Sequence, residues 1–307
     1  MREEYDVSQM QRVRSKYHVI MAQRQSTTLQ GPPAQMRSQL EAVAATDQVV
    51  GGRRSLCAAL SWILGALAAL CFFTGLWPLG IPFALGAVVA AIFWSNYRGA
   101  DLDNKRLELA ATLLTKLRED LPEKAAGSIT IRHGDCFTFG ALKDSAQAGM
   151  SSGARSESRE DKWFAWKSRL SDGSACGLAI TASGKRKSKS KRKYTKINER
   201  LRDKITLSLR LPAQRYPHLE LLEQNLQRAA LQTRAGLTIS GVQTRGSQVR
   251  VIAQSGEYGR LLGRGGATPF GEENRTDAAK LLELLASVYG GLSHCGNDDA
   301  PKLQSKI

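Results

Sequence analysis

The sequence predicts an α+β protein in which a two-helix transmembrane hairpin precedes a cytosolic, mainly antiparallel sheet domain with two or three helices. Three features lead to this fold class. Residues Ser55–Tyr97 contain no charged side chain, the later chain carries several alternating apolar and polar segments, and the formal net charge is +16. Because strand and helix patterns do not alternate regularly, we expect an antiparallel sheet.

The uncharged stretch Ser55–Tyr97 is too long for one membrane helix. At about 1.5 Å per residue it would extend roughly 65 Å, twice the ~30 Å hydrocarbon core. Gly75, Pro78 and Pro82 favour a turn near its middle, so we expect spans at about 56–76 and 79–97. A secretory signal is disfavoured by the polar residues that precede the stretch. A buried hairpin in a soluble protein and a re-entrant hairpin remain alternatives.

Small residues recur four positions apart within the predicted spans, a spacing that lets two helix backbones approach closely in lipid. The pairs are Gly65 with Ala69, Gly80 with Ala84, and Gly86 with Ala90. We expect them to form the helix–helix contact, although alanine and glycine are also simply common in membrane spans.

Cations flank the uncharged stretch on both sides. Arg53 and Arg54 precede it, and Arg98, Lys105 and Arg106 follow it. Since loops rich in Lys and Arg stay in the cytoplasm, we expect a multi-pass protein of a bacterial plasma membrane with both termini in the cytoplasm. The cysteines form no C-x-x-C pair, which suits a reducing compartment.

Four polar regions surround the hairpin in the predicted domain organisation. They are an N-terminal polar helical segment (1–54), a juxtamembrane helix (101–122), an α+β domain (126–290) and a disordered tail (291–307). The apolar stripes of the first segment suit a membrane surface, the C-terminal domain or a second copy of the chain. The juxtamembrane helix has a coiled-coil rhythm over about two heptads, so it either packs on the domain or forms a dimer stalk.

Alternating patterns predict the elements of the α+β domain. The elements are a hairpin across Ser171–Ser174, a strand at Lys204–Leu211, a helix opening at Pro217, a hairpin across Thr244–Ser247 and a last helix at Thr276–Tyr289. Residues 143–161 are rich in Ser, Gly and Ala with few bulky apolar side chains, so we expect a flexible loop there.

The basic run Lys185–Lys193 reads KRKSKSKRK and predicts an exposed loop at 184–196, because neighbouring cations cannot be buried unpaired. It suits a solvated loop, attraction to anionic headgroups at ~1 kcal/mol per cation, or binding of nucleic acid. Only Tyr194 offers a side chain for base stacking. The candidate contacts for anionic lipid or another polyanion are Lys185, Arg186, Lys187, Lys189, Lys191, Arg192, Lys193 and Lys196.

The sequence contains no recognisable catalytic, metal or cofactor motif. His133, Asp135 and Cys136 lie within four residues, but adjacent residues on a turn rarely reach catalytic geometry, so we interpret them as a turn between strands. The Gly-rich segment Gly259–Gly266 follows a strand but lacks the phosphate-loop patterns. We expect no catalytic residue, no metal and no cofactor.

The expected function is a membrane-anchored scaffold, binding or sensing module whose basic cytosolic domain contacts anionic lipid or an acidic partner. Membrane lipids are the expected partners, and a cytosolic protein or a second copy of the chain is compatible. Two alternatives are an enzyme with an unrecognised site in the cytosolic domain and a membrane tether for nucleic acid, which the scarcity of aromatic residues disfavours.

Overall fold

The computed structural model describes residues 26–100, 102–148, 154–191, 193–216, 219, 222, 236–263 and 266–293. They divide into two compact units. The apolar unit contains Ser38–Asn104, and the sheet unit contains Thr28–Arg37 and the chain from Lys105 onwards. The predicted α+β class, with two apolar helices ahead of a large antiparallel sheet, is confirmed.

Two helices dominate the apolar unit: α1 spans Pro33–Phe73 and α2 spans Trp77–Ala100. By length and composition, Pro33–Phe73 and Trp77–Asn96 could each cross a membrane. Large apolar side chains on them are exposed, including Trp62 at 82% and Phe73 at 92%. An apolar surface of this extent needs a non-aqueous environment, so the two helices indicate membrane association.

The turn between α1 and α2 lies earlier in the chain than the break predicted between residues 76 and 79. Gly75, at a φ of 77°, lies in the break between Phe73 and Trp77, where a residue without Cβ adopts the left-handed backbone without strain. Pro78 and Pro82 lie inside α2. Pro78 is tolerated because the first helical turn needs no intrahelical N–H bond.

The predicted polar segment 1–54 is divided between several structures. Residues 1–25 lie outside the described residues, Ser26–Gly31 form strand β1, and the remainder opens helix α1. Leu29 and Met36 are fully buried, and Met36 closely approaches Gly127 of the sheet unit. The sheet unit is therefore assembled from chain on both sides of the apolar helices.

The sheet has ten strands among the described residues. Besides β1 they are β2 Gly127–Arg132, β3 Ala141–Ala148, β4 Ala154–Arg169, β5 Ala175–Lys191, β6 Tyr194–Arg210, β7 Leu237–Arg245, β8 Gln248–Ser255, β9 Tyr258–Gly263 and β10 Gly266–Phe270. The main order is β1-β2-β4-β5-β6-β8-β7, while β3 also pairs with β4, and β9 pairs with β6 and β10.

Strands β4, β5 and β6 are long enough to have different neighbours at their two ends. At one end, which we call the near half of the sheet, these three strands lie between β2 and β8. At the other end, the far half, they lie between β3 and β9. Two predicted loops are therefore wrong. Residues 143–148 and 154–161 belong to β3 and β4, and residues 184–191 and 194–196 belong to the far ends of β5 and β6, with Lys193 in a turn.

Alternation along the strands gives the sheet an inner face, defined by its buried side chains, and an outer face opposite. The inner face holds the apolar core, which includes Phe164, Trp166, Leu178, Ile180, Ile205, Leu207, Leu209, Val249 and Val251. The predicted hairpins across Ser171–Ser174 and Thr244–Ser247 are present as β4–β5 and β7–β8.

The described helices of the sheet unit are α3 Asn104–Lys116, the short α4 Cys136–Phe139 and α5 Ala278–Ser293. The leucines of the predicted coiled-coil stripe are buried, and the Arg106 guanidinium of α3 lies 4.8 Å from the centre of the Trp163 ring. Helix α5 continues three residues into the predicted tail. Residue 101, most of the helix predicted from Pro217, and residues 294–307 lie outside the described residues.

Candidate functional site

The far half of the sheet brings much of the basic run onto one surface. The register pairs Lys185 with Arg200, Lys187 with Asn198, and Lys189 with Lys196. Directly paired residues, and alternate residues along a strand, project from the same face of a sheet. Lys185, Lys187, Lys189, Lys196 and Arg200 therefore share the outer face. We call these five residues the cation strip.

The side chains of the cation strip are exposed, and the neighbouring strand does not neutralise them. Across β4, Lys185 faces Ser158, Lys187 faces Ser156 and Lys189 faces Ala154. Within the part of the chain that the structure describes, the four lysines of the strip make no ion pair. Arg200 lies 3.5 Å from Glu257 in an exposed pair, which contributes little in water.

Arg186 belongs to the same run but projects from the inner face. Its guanidinium lies 2.6 Å from Glu199 and 3.1 Å from Glu157, and it covers the Phe137 ring at 4.5 Å. Glu199 also accepts from Arg260. Chiefly through this hydrogen bond, the pKa of Arg260 is raised above its ordinary value. Arg186 is therefore a structural cation that ties β4, β5 and β6 together.

The remaining predicted contacts lie around the turn of the β5–β6 hairpin. Lys193 is exposed in the turn. For Lys191 the structure describes the backbone, which pairs with Tyr194, and Arg192 lies outside the described residues. Arg200 was missed by the sequence analysis, although the two-residue spacing of Lys196, Asn198 and Arg200 was a visible strand signal.

Four carboxylates of the long strands lie on the inner face and are internally bound, namely Glu157, Asp161, Glu199 and Asp203. Glu160 of β4 lies on the outer face and pairs with Lys143 at 3.1 Å. Asp203 is fully buried and accepts hydrogen bonds from Trp163 Nε1 at 3.3 Å, Tyr258 Oη at 2.9 Å and Thr276 N at 3.3 Å. Asp161 lies 2.7 Å from Arg132. Because these four carboxylates bind groups on the inner face, they form no direct ion pairs with the cation strip on the outer face.

The His133–Cys136 segment has a structural role. Asp135 accepts from the backbone N–H of Phe137 and caps α4. The Cys136 thiol is buried and donates to the carbonyl oxygen of Ala182 at 3.5 Å. Burial raises the pKa of Cys136 to about 12, so the thiol stays protonated near neutral pH and lacks the thiolate that a cysteine nucleophile requires.

The Gly-rich segment Gly259–Gly266 contributes to a β-hairpin between β9 and β10, so it does not form a loop ahead of a helix. A Cβ at Gly259 would lie 2.0 Å from the Glu199 carbonyl oxygen, which explains why glycine is required at this close strand contact. Among the described residues, no group of three His, Cys, Asp or Glu residues is placed to hold a metal ion.

The small residues of the apolar unit fall on two different faces. A Cβ at Gly80 would lie 2.9 Å from the Phe72 ring, and one at Gly86 would lie 3.1 Å from Leu64. Gly65 has no such neighbour within 4 Å. The α1–α2 contact therefore uses Gly80 and Gly86, with Ala84 and Ala90 half-buried and with Ser61 Oγ donating to the Ala87 carbonyl at 3.3 Å. Gly65 and Ala69 are exposed.

Comparison of the chain with protein-family models, with curated proteins and with solved structures gave no match. Its function must therefore be inferred from its own charge distribution and geometry.

Proposed function

We propose that the protein is an integral membrane protein whose sheet unit is a cytosolic module that binds the anionic headgroups of the adjacent leaflet. The observation that carries the proposal is the cation strip, five exposed cations on the outer face, of which the four lysines have no carboxylate at their paired positions on β4, β5 and β6. Each Lys or Arg held near such a leaflet contributes ~1 kcal/mol. The proposed role is binding, without catalysis.

In the proposed topology, α1 and α2 cross the bilayer and both termini lie in the cytoplasm. Arg53, Arg54 and Arg98 flank the apolar segments, while the break between Phe73 and Trp77 carries no charge, and this asymmetry favours a cytoplasmic location for the flanks. A maleimide that cannot cross membranes should label Gly75→Cys in intact cells in a background lacking the native cysteines. It should label Lys193→Cys only after lysis, and labelling of Lys193→Cys in intact cells would contradict the topology.

Lipid is favoured over nucleic acid for two reasons. The membrane spans hold the sheet unit near a leaflet, which raises the effective concentration of headgroups at the strip. Nucleic-acid surfaces commonly combine cations with several stacking aromatic side chains. Among the described outer-face positions beside the strip, Tyr194 on β6 is aromatic, whereas those on β4 carry Ser158, Ser156 and Ala154. A row of exposed cations with one aromatic residue at its end suits the charged surface of a bilayer.

The binding test uses the full chain, since β1 precedes the membrane helices and a fragment starting after them would lack a strand. An environment-sensitive dye on Ser156→Cys, which is paired with Lys187 on the outer face, reports contact with the bilayer. We expect a blue shift in nanodiscs containing phosphatidylglycerol and none in phosphatidylcholine alone. Substitution of Lys185, Lys187 and Lys189 by Gln should remove the shift by weakening attachment by about 3 kcal/mol.

The matched control removes the same charge elsewhere on the sheet unit. Lys116, Arg118 and Lys124 are exposed and lie outside the strip, so their replacement by Gln should preserve the blue shift. Equal loss in both triple variants would mean that net charge, and not the strip, causes attachment. Displacement of the dye-labelled hairpin from anionic nanodiscs by single-stranded nucleic acid, at equal charge concentration, would favour the nucleic-acid tether.

A further inference from the structure

A groove of about 1250 Å³ crosses the near half of the sheet, away from the cation strip. Its lining comes from β1, β2, β4, β5, β6 and β8 and from the residues that lead into β2. One row of paired positions passes through it, from Lys167 on β4 through Gly177 on β5 and Ser208 on β6 to Arg250 on β8. The groove is therefore a depression in the outer face of the sheet.

The floor of the groove is made of small side chains. Gly177 and Ser208 are neighbours in this row, between Lys167 and Arg250, while Ser128 lies beyond Lys167 on β2. A Cβ at Gly177 would meet only Ser208 atoms, at 3.8 and 4.0 Å, and the space above this glycine is open. A ligand can thus approach the sheet surface closely at Gly177 and meet the Ser208 hydroxyl group.

Four exposed cations surround this floor. Besides Lys167 and Arg250, Arg169 and Arg210 lie opposite each other across Ala175. With strands about 4.8 Å apart, the backbones of Arg169 and Arg210 are roughly 10 Å apart, a gap that two long side chains can close around one ligand. The residues that line the groove include no carboxylate.

The four cations are close enough to act on one anion. None of them is paired directly with another, since Gly177, Ala175 and Ser208 lie between them, but cations within about 10 Å of one another still repel at moderate ionic strength. Within the described part of the chain, none of these four side chains makes an ion pair that would relieve the repulsion. An anion bound between them would relieve it, and arginine forms paired hydrogen bonds with phosphate oxygens.

We propose that this groove binds a small molecule carrying two or more phosphate groups. A single phosphate can reach only part of a four-cation cluster that extends over four neighbouring strands, whereas linked phosphates can contact cations on both sides of the floor. The lining contains no aromatic side chain, so recognition rests on the phosphates and not on a stacked ring. The site is independent of leaflet binding, because it uses other cations in the other half of the sheet.

The test is calorimetric titration of the full chain, in phosphatidylcholine nanodiscs, with tripolyphosphate and with sulfate as the single-anion comparison. We expect tripolyphosphate to bind and sulfate to bind far more weakly. Arg169→Gln and Arg210→Gln should each raise the Kd about tenfold, as expected for loss of a charged hydrogen bond. The triple Gln variant of Lys185, Lys187 and Lys189 should bind tripolyphosphate like the wild type.

Gly177→Leu tests the groove without changing charge. The new Cβ makes ordinary contacts and leucine is compatible with a strand, so the sheet should persist while the floor is filled, and tripolyphosphate binding should be lost. Wild-type affinity in Gly177→Leu, or equal affinity for sulfate and tripolyphosphate, would overturn the proposal. So would equal losses in the strip and groove variants, since these would indicate non-specific attraction.

A second arm separates a soluble ligand from a lipid headgroup with the same clustered phosphates. Nanodiscs containing a bisphosphorylated inositol lipid are added to the protein saturated with tripolyphosphate. If the lipid displaces tripolyphosphate from the wild type but not from Arg169→Gln or Arg210→Gln, the headgroup also binds in the groove. Absence of competition assigns the groove to a soluble polyphosphate, and either result retains phosphate clusters as the recognised chemistry.

Discussion

The inner and outer faces of strands β4, β5 and β6 use charge in opposite ways. On the inner face, Glu157, Glu199 and Asp203 are buried and bound by guanidinium groups, an indole and a phenol. On the outer face, the four lysines of the cation strip are exposed. Within the described part of the chain, these lysines make no ion pair with a carboxylate. Residues adjacent in sequence therefore differ in burial and in charge pairing, because successive side chains of a strand point to opposite faces of the sheet.

This difference divides the basic run into inward and outward cations, which its composition does not distinguish. Arg186 stabilises the sheet through buried carboxylates, while Lys185 and Lys187 on either side of it remain available to a polyanion. Variants at adjacent positions test this comparison. Substitutions on the inner face should lower the free energy of unfolding, and substitutions of the strip lysines on the outer face should weaken binding. Buried Trp163 and Trp166 provide a fluorescence signal for urea unfolding of the full chain in neutral nanodiscs.

The largest effect is expected in the apolar core of the inner face. Leu207 is fully buried, so Leu207→Ala should lower the free energy of unfolding by about 3 kcal/mol through lost burial and a cavity. Thr206→Ala, one step away on the outer face, should change it by less than about 0.5 kcal/mol. Similar urea midpoints for the two variants would contradict the assignment of Leu207 to the inner face and Thr206 to the outer face.

The next effect separates the two kinds of cation. Arg186→Gln leaves Glu157 and Glu199 with fewer partners and should cost about 2 kcal/mol, less than a fully buried pair because Arg186 retains some contact with water. Lys187→Gln should leave unfolding nearly unchanged but weaken attachment to anionic nanodiscs. If Arg186→Gln weakened attachment while leaving the urea midpoint unchanged, Arg186 would belong to the binding surface instead.

The apolar unit allows the same comparison between a contact face and an outward face. Gly80→Leu should cost about 1 to 2 kcal/mol by overpacking against Phe72, whereas Gly65→Leu meets no neighbour. Disulfide cross-linking between Ser61→Cys and Ala87→Cys, which replace the hydrogen-bonded pair, measures hairpin packing. Cross-linking should fall in Gly80→Leu alone, and an equal fall in Gly65→Leu would place that glycine at the contact.

The smallest effect concerns pH. Burial, followed by the Asp172 charge, raises the pKa of Cys176 to about 12 from its ordinary 9.0. The unfolded state therefore loses this proton first, and the stabilising contribution disappears as pH rises from the unfolded toward the folded pKa. From about pH 8 to about pH 10 the wild type should lose about 1 kcal/mol more stability than Cys176→Ala.

Thr206→Ala is the matched control for this titration, because its side chain lies on the outer face. Its stability should follow the wild-type pH curve, including the alkaline contributions of other buried groups such as Tyr216, whose pKa burial raises to about 12. Identical pH curves for Cys176→Ala and the wild type would show that the thiol is accessible to solvent in the folded protein.

Much of the fold could be predicted because its signals are local. The uncharged stretch with Gly75 near its centre predicts two apolar helices, and the alternation in Lys204–Leu211 predicts a strand with a defined buried face. Residues 143–161 were predicted as a loop because they contain few bulky apolar side chains. Residues 143–148 and 154–161 form strands because neighbouring strands provide backbone hydrogen-bond partners along their length, which the local composition does not report.

The candidate site was only partly visible from the sequence. Lys185, Lys187 and Lys189 were predicted from charge density, but Arg186 was grouped with them because a loop has no fixed faces. The groove across the near half of the sheet was not predicted, because Lys167, Arg169, Arg210 and Arg250 are scattered along the chain. Their proximity arises from strand pairing between β4, β5, β6 and β8.

The sequence by itself determined the two apolar helices, the α+β class and the excess of positive charge, since hydrophobicity, periodicity and charge are properties of neighbouring residues. Only the tertiary structure decided that a strand preceding α1 completes the sheet, that Arg186 faces inward, and that four distant cations surround one groove. Strand register determines these arrangements, because it sets both the partner and the face of each residue, and it arises from pairing between segments that are remote in sequence.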